Sequence, residues 1–388
     1  MISRVVLLLL LAAGSLVDFA KSNSLNLVVR HNYPVEQHKL TTSDGYILTI
    51  FRIPYSLSDG ETQGQGKPVV FLQHGITGSS DDWLLNGPKS GLAYLLADAG
   101  FDVWLGNSRG NSNGRENQKL KPSNEKFWKF SWHEIGAYDL PAQIDYVLRI
   151  TNQAALHFIG HSQGGTAYLV MLAEHPEYNE KISTTNLLAP LAFCSNMESK
   201  LMTLVLKVNE YMVDGEYSQS SLTNHPLSNV FCSTLIGKHL CHDMLFTLIG
   251  GNSPHINKTL VPQLEKTTSS GFSNMLLKHY AQVFKTGRFA KYDYGNATNL
   301  EVYGTSKPPL YDLSNVAPTD MVHMFYSDND QLLSVEDAER LGQRINAIQN
   351  HVEVKNWNHL DYVYATDVVQ VIYEQLIQSI RDYKPNLI

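Results

Sequence analysis

Short apolar runs that alternate with helix-compatible stretches are the feature that most constrains the fold of this chain. The runs "YILTIFRIPY" from Tyr46, "KPVVFLQHG", "FDVWLG" and "ALHFIG" are rich in Val, Ile, Leu and Phe, as β-strands are. Between them lie "GLAYLLADAG" and "DLPAQIDYVLRI", whose composition is typical of helices. This alternation predicts an α/β fold with a mostly parallel central sheet and helices on both faces.

The pattern changes after about residue 188. Helix candidates with polar breaks follow, such as "SKLMTLVLKVNEYM" and "FSNMLLKHYAQVFKTG", and the next convincing strands are "MVHMFYS" from Met321 and "HVEVKNW" from His351. We therefore predict that residues 21–187 and 306–388 form the sheet-containing core. Residues 188–305 are predicted to be a helical cap inserted over the loop end of the sheet.

Composition and charge exclude several classes of protein. Of the 388 residues, 43% are hydrophobic and 17% are charged, which is typical of a globular chain rather than a disordered one. The formal net charge is -7 and no basic run is present. The sequence therefore predicts neither a nucleic-acid surface nor a polybasic membrane anchor.

The N-terminus has the layout of a secretory signal peptide. Arg4 precedes a short apolar stretch, Val5 to Ala13, and small residues follow it. This stretch is shorter than the roughly 20 apolar residues that span a bilayer. We therefore interpret residues 1–20 as a cleaved signal peptide rather than a stable membrane anchor, with the cleavage position left open. The protein is accordingly predicted to be secreted or lysosomal.

Two further features agree with passage through the secretory pathway. Sequons for N-glycosylation occur at Asn257 ("NKT") and Asn296 ("NAT"). The three cysteines, Cys194, Cys232 and Cys241, permit three single pairings, and the last two are spaced to close a small loop. No CxxC pair is present, so no metal site is predicted.

The segment "ALHFIGHSQGGTAYL" places a serine between a strand candidate and a helix candidate. Gly160, Ser162 and Gly164 form G-x-S-x-G, in which the glycines let two backbone arms approach closely while the serine hydroxyl projects. Glycines and serines also build ordinary turns, so the motif alone leaves a structural turn open. With the flanking strand and helix it predicts a nucleophile.

A serine hydroxyl needs a base, and in this architecture an acid and then a histidine follow the nucleophile along the chain. His359, in "NWNHLDYVY", lies in a polar loop between a strand candidate and a helix-like segment, and it is the candidate base. His323 lies within an alternating strand and is predicted to be packed. The side chain of His161 is predicted to point away from the attacking oxygen.

The acid and the oxyanion donors are predicted from their positions. Asp328 and Asp330 both come directly after the strand candidate "MVHMFYS", and either carboxylate could instead cap the following helix. Spacing alone does not separate the two. For the oxyanion, the mechanism requires the amide of the residue after the nucleophile, Gln163. It also requires one amide from a loop after an early strand, which "LQHGITG" supplies at Ile76.

Together these motifs resemble the acid lipase family of gastric and lysosomal lipases and their secreted insect relatives. The resemblance covers nearly all of the mature chain, and "DVWLGNSRGN" with "GHSQGG" carries it most specifically. "FLQHGITGSSDDWL", "NDQLLSVEDAERL" and "NHLDYV" add to it. The resemblance implies an α/β-hydrolase fold, a helical cap over the site, and hydrolysis of neutral lipid esters without a metal or cofactor.

The resemblance also implies roles for individual residues. The matched positions are the nucleophile Ser162, the base His359, the acid Asp330, and the oxyanion donors Ile76 and Gln163. Asp328 stands where the family usually has glycine. Cys232 and Cys241 match the disulfide pair of gastric-type members, which leaves Cys194 as a buried free thiol.

These observations predict a secreted or lysosomal lipase that acts on triacylglycerol at a lipid–water interface by a Ser-His-Asp acyl-enzyme mechanism, with sterol esters as a further candidate substrate. Two alternatives stay open: an esterase for small soluble esters, and a non-catalytic lipid carrier on the same fold. Apolar residues of "SKLMTLVLKVNEYM" form either a mobile lid or ordinary cap core. They are Leu201, Met202, Leu204, Val205 and Leu206.

Overall fold

The computed structural model describes most of the chain. The described ranges are 23–56, 66–209, 214–217, 253–261, 263–264, 271–316 and 322–384. The predicted signal peptide at residues 1–20 and the predicted disulfide partners Cys232 and Cys241 lie outside them.

Among the described residues, a nine-stranded sheet dominates the fold. Its strands are β1 (Glu36–Thr41), β2 (Tyr46–Ile53), β3 (Val69–Gln73), β4 (Asp102–Leu105), β5 (Glu116–Asn117), β6 (Leu156–His161), β7 (Ile182–Leu188), β10 (Val322–Ser327) and β11 (Ile348–Val352), while β8 (Glu216–Tyr217) and β9 (Phe272–Ser273) pair separately. The spatial order is β1-β2-β4-β3-β6-β7-β10-β11, with β5 paired to β2. The pairs of β2 are antiparallel, and all pairs from β4 onward along this order are parallel. The predicted mostly parallel sheet is confirmed.

Helices lie between many of the strands, before the first strand and after the last one. They are α1 (Asn23–Arg30), α2 (Leu92–Asp98), α3 (Leu140–Thr151), α4 (Gln163–Glu174), α5 (Lys200–Asn209), α6 (Asn274–Thr286), α7 (Asn296–Tyr303), α8 (Val335–Arg344) and α9 (Glu374–Asp382). Helical turns at Trp132–Glu134 and Ile135–Asp139 lead into α3, and a short helix covers Asp361–Tyr364. Within the described ranges, no helix is both long enough and apolar enough to cross a bilayer.

The predicted site residues lie beyond the carboxyl ends of the parallel strands. β3 and β6 are buried along their whole length, as expected of central parallel strands that are covered on both faces. Ile76, Ser162, Asp330 and His359 follow β3, β6, β10 and β11, respectively. Ligands of open α/β sheets bind outside the carboxyl ends of the strands, so the topology gathers these four residues where a substrate would bind.

Two details differ from the sequence prediction. The last strand covers Ile348–Val352 and so begins three residues before His351. It lies at the edge of the described strands and has one buried residue, so it lacks the apolar run by which a central strand is recognised. The region between β7 and β10 also contains the two-residue strands β8 and β9, which are too short to produce a visible alternation.

The region between β7 and β10, predicted as a cap, contributes α5, α6 and α7. α5 packs against α6. Met202 and Leu206 of α5 are buried, Val205 is half-buried and Leu204 is 57% exposed. The side chain of Leu201 lies outside the described part of the structure. α5 thus turns one apolar side inward and leaves Leu204 in solvent, while the exact division into core and cap stays a prediction.

A buried ion cluster joins three connections of the core. The guanidinium of Arg109, in the loop after β4, donates to Asp139 Oδ1 at 2.8 Å and to Asp44 Oδ2 at 2.6 Å. It also lies over the ring of Tyr46 at 4.1 Å. Burial raises the pKa of Asp139 to about 6 against the opposing charge of Arg109. The cluster ties the loop after β4 to the β1–β2 turn and to the helical turn before α3.

We expect Arg109→Met to destabilise the fold by about 3–5 kcal/mol, because the buried Asp139 carboxylate loses its partner. The measurement is the free energy of unfolding by urea at neutral pH. Lys39→Met is the matched control: Lys39 and Glu116 form an exposed ion pair, whose loss should cost less than about 1 kcal/mol. Equal losses in the two variants would contradict the role given to the buried cluster.

Candidate active site

Ser162 occupies the turn between β6 and α4 with a strained backbone, at φ 53° and ψ -118°. Glycines make this turn possible. A Cβ on Gly164 would lie 2.4 Å from the carbonyl oxygen of Gln73, and one on Gly160 would lie 2.9 Å from the backbone of Gly164. The strand-to-helix turn predicted from G-x-S-x-G is therefore present, and it places the serine hydroxyl at the carboxyl end of β6.

The structure brings together three of the predicted site residues. His359 Nε2 lies 2.8 Å from Ser162 Oγ, and His359 Nδ1 lies 2.8 Å from Asp330 Oδ2. Because an ionised carboxylate can only accept, Nδ1 carries the proton, and Nε2 is left to accept from the serine hydroxyl. All three residues are at most 3% exposed. A buried serine, imidazole and carboxylate in this order is the arrangement that nucleophilic acyl transfer requires.

The two aspartates after β10 occupy different environments. Asp330 is 1% exposed, and its second oxygen accepts from the amides of Leu332 and Leu333 at 2.9 and 3.1 Å. Asp328 instead pairs at the surface with His351, at 2.8 Å. Geometry therefore separates the two carboxylates that spacing left equivalent, and Asp330 is the one that contacts His359.

The two predicted oxyanion donors lie beside the serine. Parallel pairing of β3 with β6 sets Gln73 opposite Gly160, which carries the loop containing Ile76 next to Ser162. In the described part of the chain, the amide N–H groups of Ile76 and Gln163 have no hydrogen-bond acceptor. Both amides are therefore available to a substrate oxygen.

His74 holds this loop in place. Its Nε2 accepts from the amide of Ser108 at 3.1 Å, and its Nδ1 donates to the carbonyl of Gly75 at 2.7 Å. Burial lowers the pKa of His74 to about 4, so the neutral ring keeps this tautomer at higher pH. The loop after β3 is thereby fixed to the loop after β4.

His161 makes a contact that the sequence analysis missed. Its Nε2 donates to the backbone carbonyl of His359 at 2.9 Å, and the two rings lie 5.1 Å apart. Burial lowers the pKa of His161 to about 3, so the ring is neutral at weakly acidic and neutral pH. Its place beside Ser162 was the only signal, and nothing in the sequence indicated a partner 198 residues away.

An apolar cavity opens beside Ser162 and His359. Its apolar side chains come from the core and from the region between β7 and β10: Ile76, Leu191, Met197, Met202, Leu206, Leu277, Leu332 and Leu360. Asp82 and Tyr364 also line it and are hydrogen-bonded to each other. Burial raises the pKa of Asp82 to about 7, so below that pH this carboxyl is uncharged. The cavity suits an uncharged ligand with a hydrocarbon chain.

The other predicted residues lie away from this cavity. Asn296 is exposed at the start of α7, and the side chain of half-buried Asn257 caps the turn Lys258–Leu260. Their glycosylation stays a prediction. Cys194 is buried and, within the described ranges, forms no disulfide. No group of three His, Cys, Asp or Glu side chains among the described residues is arranged to hold a metal ion.

Two family models match the chain. The partial alpha/beta-hydrolase lipase region matches residues 26–87, and the alpha/beta hydrolase fold matches residues 68–366. An esterase from Exiguobacterium antarcticum is a structural neighbour with a TM-score of 0.55 at 12% identity, covering 89% of this chain and 100% of that one. At this identity the likeness concerns the fold alone. The class of protein is thus an α/β hydrolase.

Named relatives narrow this class. Lipase 3 of Drosophila melanogaster is 38% identical over 91% of this chain and 91% of its own length. The gastric triacylglycerol lipase of Bos taurus is 35% identical over 94% and 92% of the two chains. The lysosomal acid lipase/cholesteryl ester hydrolase of Homo sapiens is 34% identical over 93% and 91%. The chain therefore belongs to the acid lipase family of α/β hydrolases, as a carboxylic ester hydrolase of the lipase type.

We expect His161→Leu to lower kcat about tenfold, because the carbonyl of His359 loses its donor and the imidazole loses alignment. The loss, measured with a soluble ester, should be equal at about pH 5 and about pH 7, since a pKa of about 3 leaves His161 neutral throughout.

The matched control is His157→Leu. His157 lies in the same strand, is also buried, and contacts Thr184 Oγ1 through Nδ1 at 2.8 Å. Both replacements should destabilise the fold by about 1–3 kcal/mol, but His157→Leu should leave kcat within about twofold. A similar fall in kcat in both variants would mean that the His161 effect comes from lost stability and not from misalignment of His359.

Proposed function

We propose that this lipase hydrolyses long-chain acyl esters of neutral lipids, with triacylglycerol as the main substrate and sterol esters as a second class. One observation carries the proposal: the hydrogen-bonded chain of Ser162, His359 and Asp330 opens onto an apolar cavity. The names of two relatives, a gastric triacylglycerol lipase and a lysosomal acid lipase/cholesteryl ester hydrolase, support the two substrate classes.

In the proposed acylation step, Ser162 Oγ attacks the ester carbonyl carbon while its proton passes to His359 Nε2. The amides of Ile76 and Gln163 donate to the oxyanion of the tetrahedral intermediate. Asp330 keeps the imidazole in the reactive tautomer and stabilises the imidazolium. When the intermediate collapses, the bond to the alcohol oxygen breaks, and His359 returns the proton to the departing alcohol.

The proposed deacylation step repeats this chemistry with water. His359 Nε2 takes a proton from the water whose oxygen attacks the acyl carbonyl carbon. Collapse of the second intermediate releases the fatty acid, and the proton returns to Ser162 Oγ. During both steps the apolar cavity holds the hydrocarbon chain. The bound chain excludes other water from the reacting carbonyl.

The predicted cap at residues 188–305 supports action at a lipid–water interface. Met202 and Leu206 of α5 line the cavity while Leu204 of the same helix faces solvent, so α5 adjoins both the cavity and the surface. We further propose passage through the secretory pathway, toward secretion or the lysosome. The signal-peptide layout at residues 1–20, the sequons and the predicted Cys232–Cys241 disulfide support this route.

Ser162→Ala is expected to lower hydrolysis of emulsified long-chain triacylglycerol by about 10⁴-fold or more, because the nucleophile is removed. Released fatty acid is measured for wild type and variant, alongside hydrolysis of a soluble short-chain ester. Ser379→Ala is the matched control: Ser379 lies on α9, its hydroxyl donates to the carbonyl of Leu376, and its loss should leave the rate unchanged. Full activity in Ser162→Ala would remove the assignment.

The same experiment separates the alternative functions. Serine-dependent activity on the short ester alone would indicate an esterase for soluble substrates. Without serine-dependent turnover on either substrate, a stable lipid complex that no serine-directed phosphonate labels would indicate a lipid carrier.

The two neighbouring aspartates provide a paired test of the proposed acid. Asp330→Asn should lower kcat about 10³- to 10⁴-fold on the short ester, since an amide no longer holds the reactive tautomer of His359. Asp328→Asn removes a surface pair with His351 and should leave kcat within about threefold. A larger loss of kcat in Asp328→Asn than in Asp330→Asn would assign the role of the acid to Asp328.

A further inference from the structure

Residues 355–367 form the loop that carries His359, here called the His359 loop. A short segment at residues 253–257, from the region between β7 and β10, lies along it. Ile256 pairs with Ala365 in an isolated antiparallel bridge. The segment therefore contacts the loop as an added strand would, although it comes from the predicted cap.

Side chains extend this contact close to His359. The Ser253 hydroxyl donates to Asp361 Oδ2 at 2.5 Å. The same oxygen accepts from the amide of Asn358 at 2.6 Å. Asn358 directly precedes His359. The Asp361 carboxylate therefore links Ser253 to the backbone next to His359.

The ring of His255 joins the two ends of the loop. Its Nε2 lies 2.9 Å from the carbonyl oxygen of Lys355, four residues before His359, and its Nδ1 lies 3.2 Å from Asp367 Oδ2, eight residues after it. Both partner atoms are acceptors. A neutral imidazole has one N–H and binds one of them, whereas an imidazolium has two and binds both.

We propose that protonated His255 is a positioning residue for ester hydrolysis, which holds both ends of the His359 loop and thereby keeps His359 directed at Ser162. The inference rests on the proposed function, because it takes His359 as the base. Loss of the proton releases one end of the loop. The effect passes through the loop backbone, since His255 does not line the cavity that holds Ser162.

Charged groups around His255 favour its protonated form. Burial acts to lower the pKa of His255, but the hydrogen bond to the Lys355 carbonyl and the charges of Asp367 and Asp361 outweigh it and raise the pKa above 6.5. The ring of His255 also packs near that of Trp357, with ring centroids 5.6 Å apart. Because the folded-state pKa is the higher one, the two-ended contact predominates at and below about 6.5 and is lost as pH rises through the folded value.

The test compares wild type with His255→Gln, whose amide donates hydrogen bonds but carries no charge at any pH. We measure kcat on a soluble short-chain ester from about pH 6.5 to about pH 9, above the pKa of about 6 that burial gives Asp361. The ratio of wild-type kcat to variant kcat should be about five- to tenfold at the lower pH and approach one at the higher. A ratio that does not change with pH would overturn the proposal.

His38→Gln is the matched control. His38 lies on β1, at the opposite edge of the sheet, and its Nε2 lies 3.0 Å from Glu36 Oε2. The variant therefore also removes a histidine beside a carboxylate, but one without a link to the His359 loop. Its kcat should stay near the wild-type value at every pH. A pH-dependent ratio like that of His255→Gln would contradict the positioning role.

An NMR titration of the full chain gives a readout independent of activity. The His255 resonance, identified by its absence in His255→Gln, should titrate above 6.5 in wild type and lower in Asp367→Asn. Titration at or below 6.5 in wild type would overturn this inference while leaving the proposed function intact, since Ser162→Ala tests that separately. Should His255→Gln not fold, Asp367→Asn replaces it in the kcat profile, with the same convergence expected at high pH.

Discussion

The close approach of Gly164 to the carbonyl of Gln73 is the constraint on which the rest of the site depends. It presses the start of α4 against the end of β3, and Ser162 takes up the strained turn between β6 and α4, at a typical cost of about 1–3 kcal/mol. β3 and β6 pair in parallel with Gln73 opposite Gly160. The loop after Gln73 therefore brings Ile76 next to Ser162. One backbone contact thus positions both the candidate nucleophile and one candidate oxyanion donor.

His359, by contrast, stands on a loop that neighbouring elements hold. Asp330 binds its ring from the turn after β10, and His161 binds its backbone carbonyl from the end of β6. The segment 253–257 also contacts this loop, so a piece of the predicted cap takes part in aligning a residue that follows the last strand of the sheet. Docking of the region between β7 and β10 and alignment of the imidazole are therefore physically linked.

The extent of burial influences the charge of the histidines near the site. His74 and His161 are kept neutral by desolvation, and each uses its single N–H to fix one backbone carbonyl. His255 lies nearer the surface beside two carboxylates, and its pKa shifts the opposite way. Burial thus holds two of these histidines neutral, whereas neighbouring charges favour the protonated form of His255. Because these residues have the same side chain, the sequence alone does not predict in which direction the pKa of each one shifts.

The amino-acid sequence alone was sufficient for features whose causes are local. The alternation of apolar runs predicted the parallel sheet, and glycines two residues before and after Ser162 predicted its sharp turn. Pairings between distant residues required the folded chain: Ser162 and His359 meet across 197 positions, and the choice of Asp330 over Asp328 depends on which carboxylate the turn after β10 directs inward. The bond of His161 and the contacts of His255 belong to this second kind. Hydrogen bonds depend on distances in space, which packing of the whole sheet and the inserted region determines and which local periodicity does not encode.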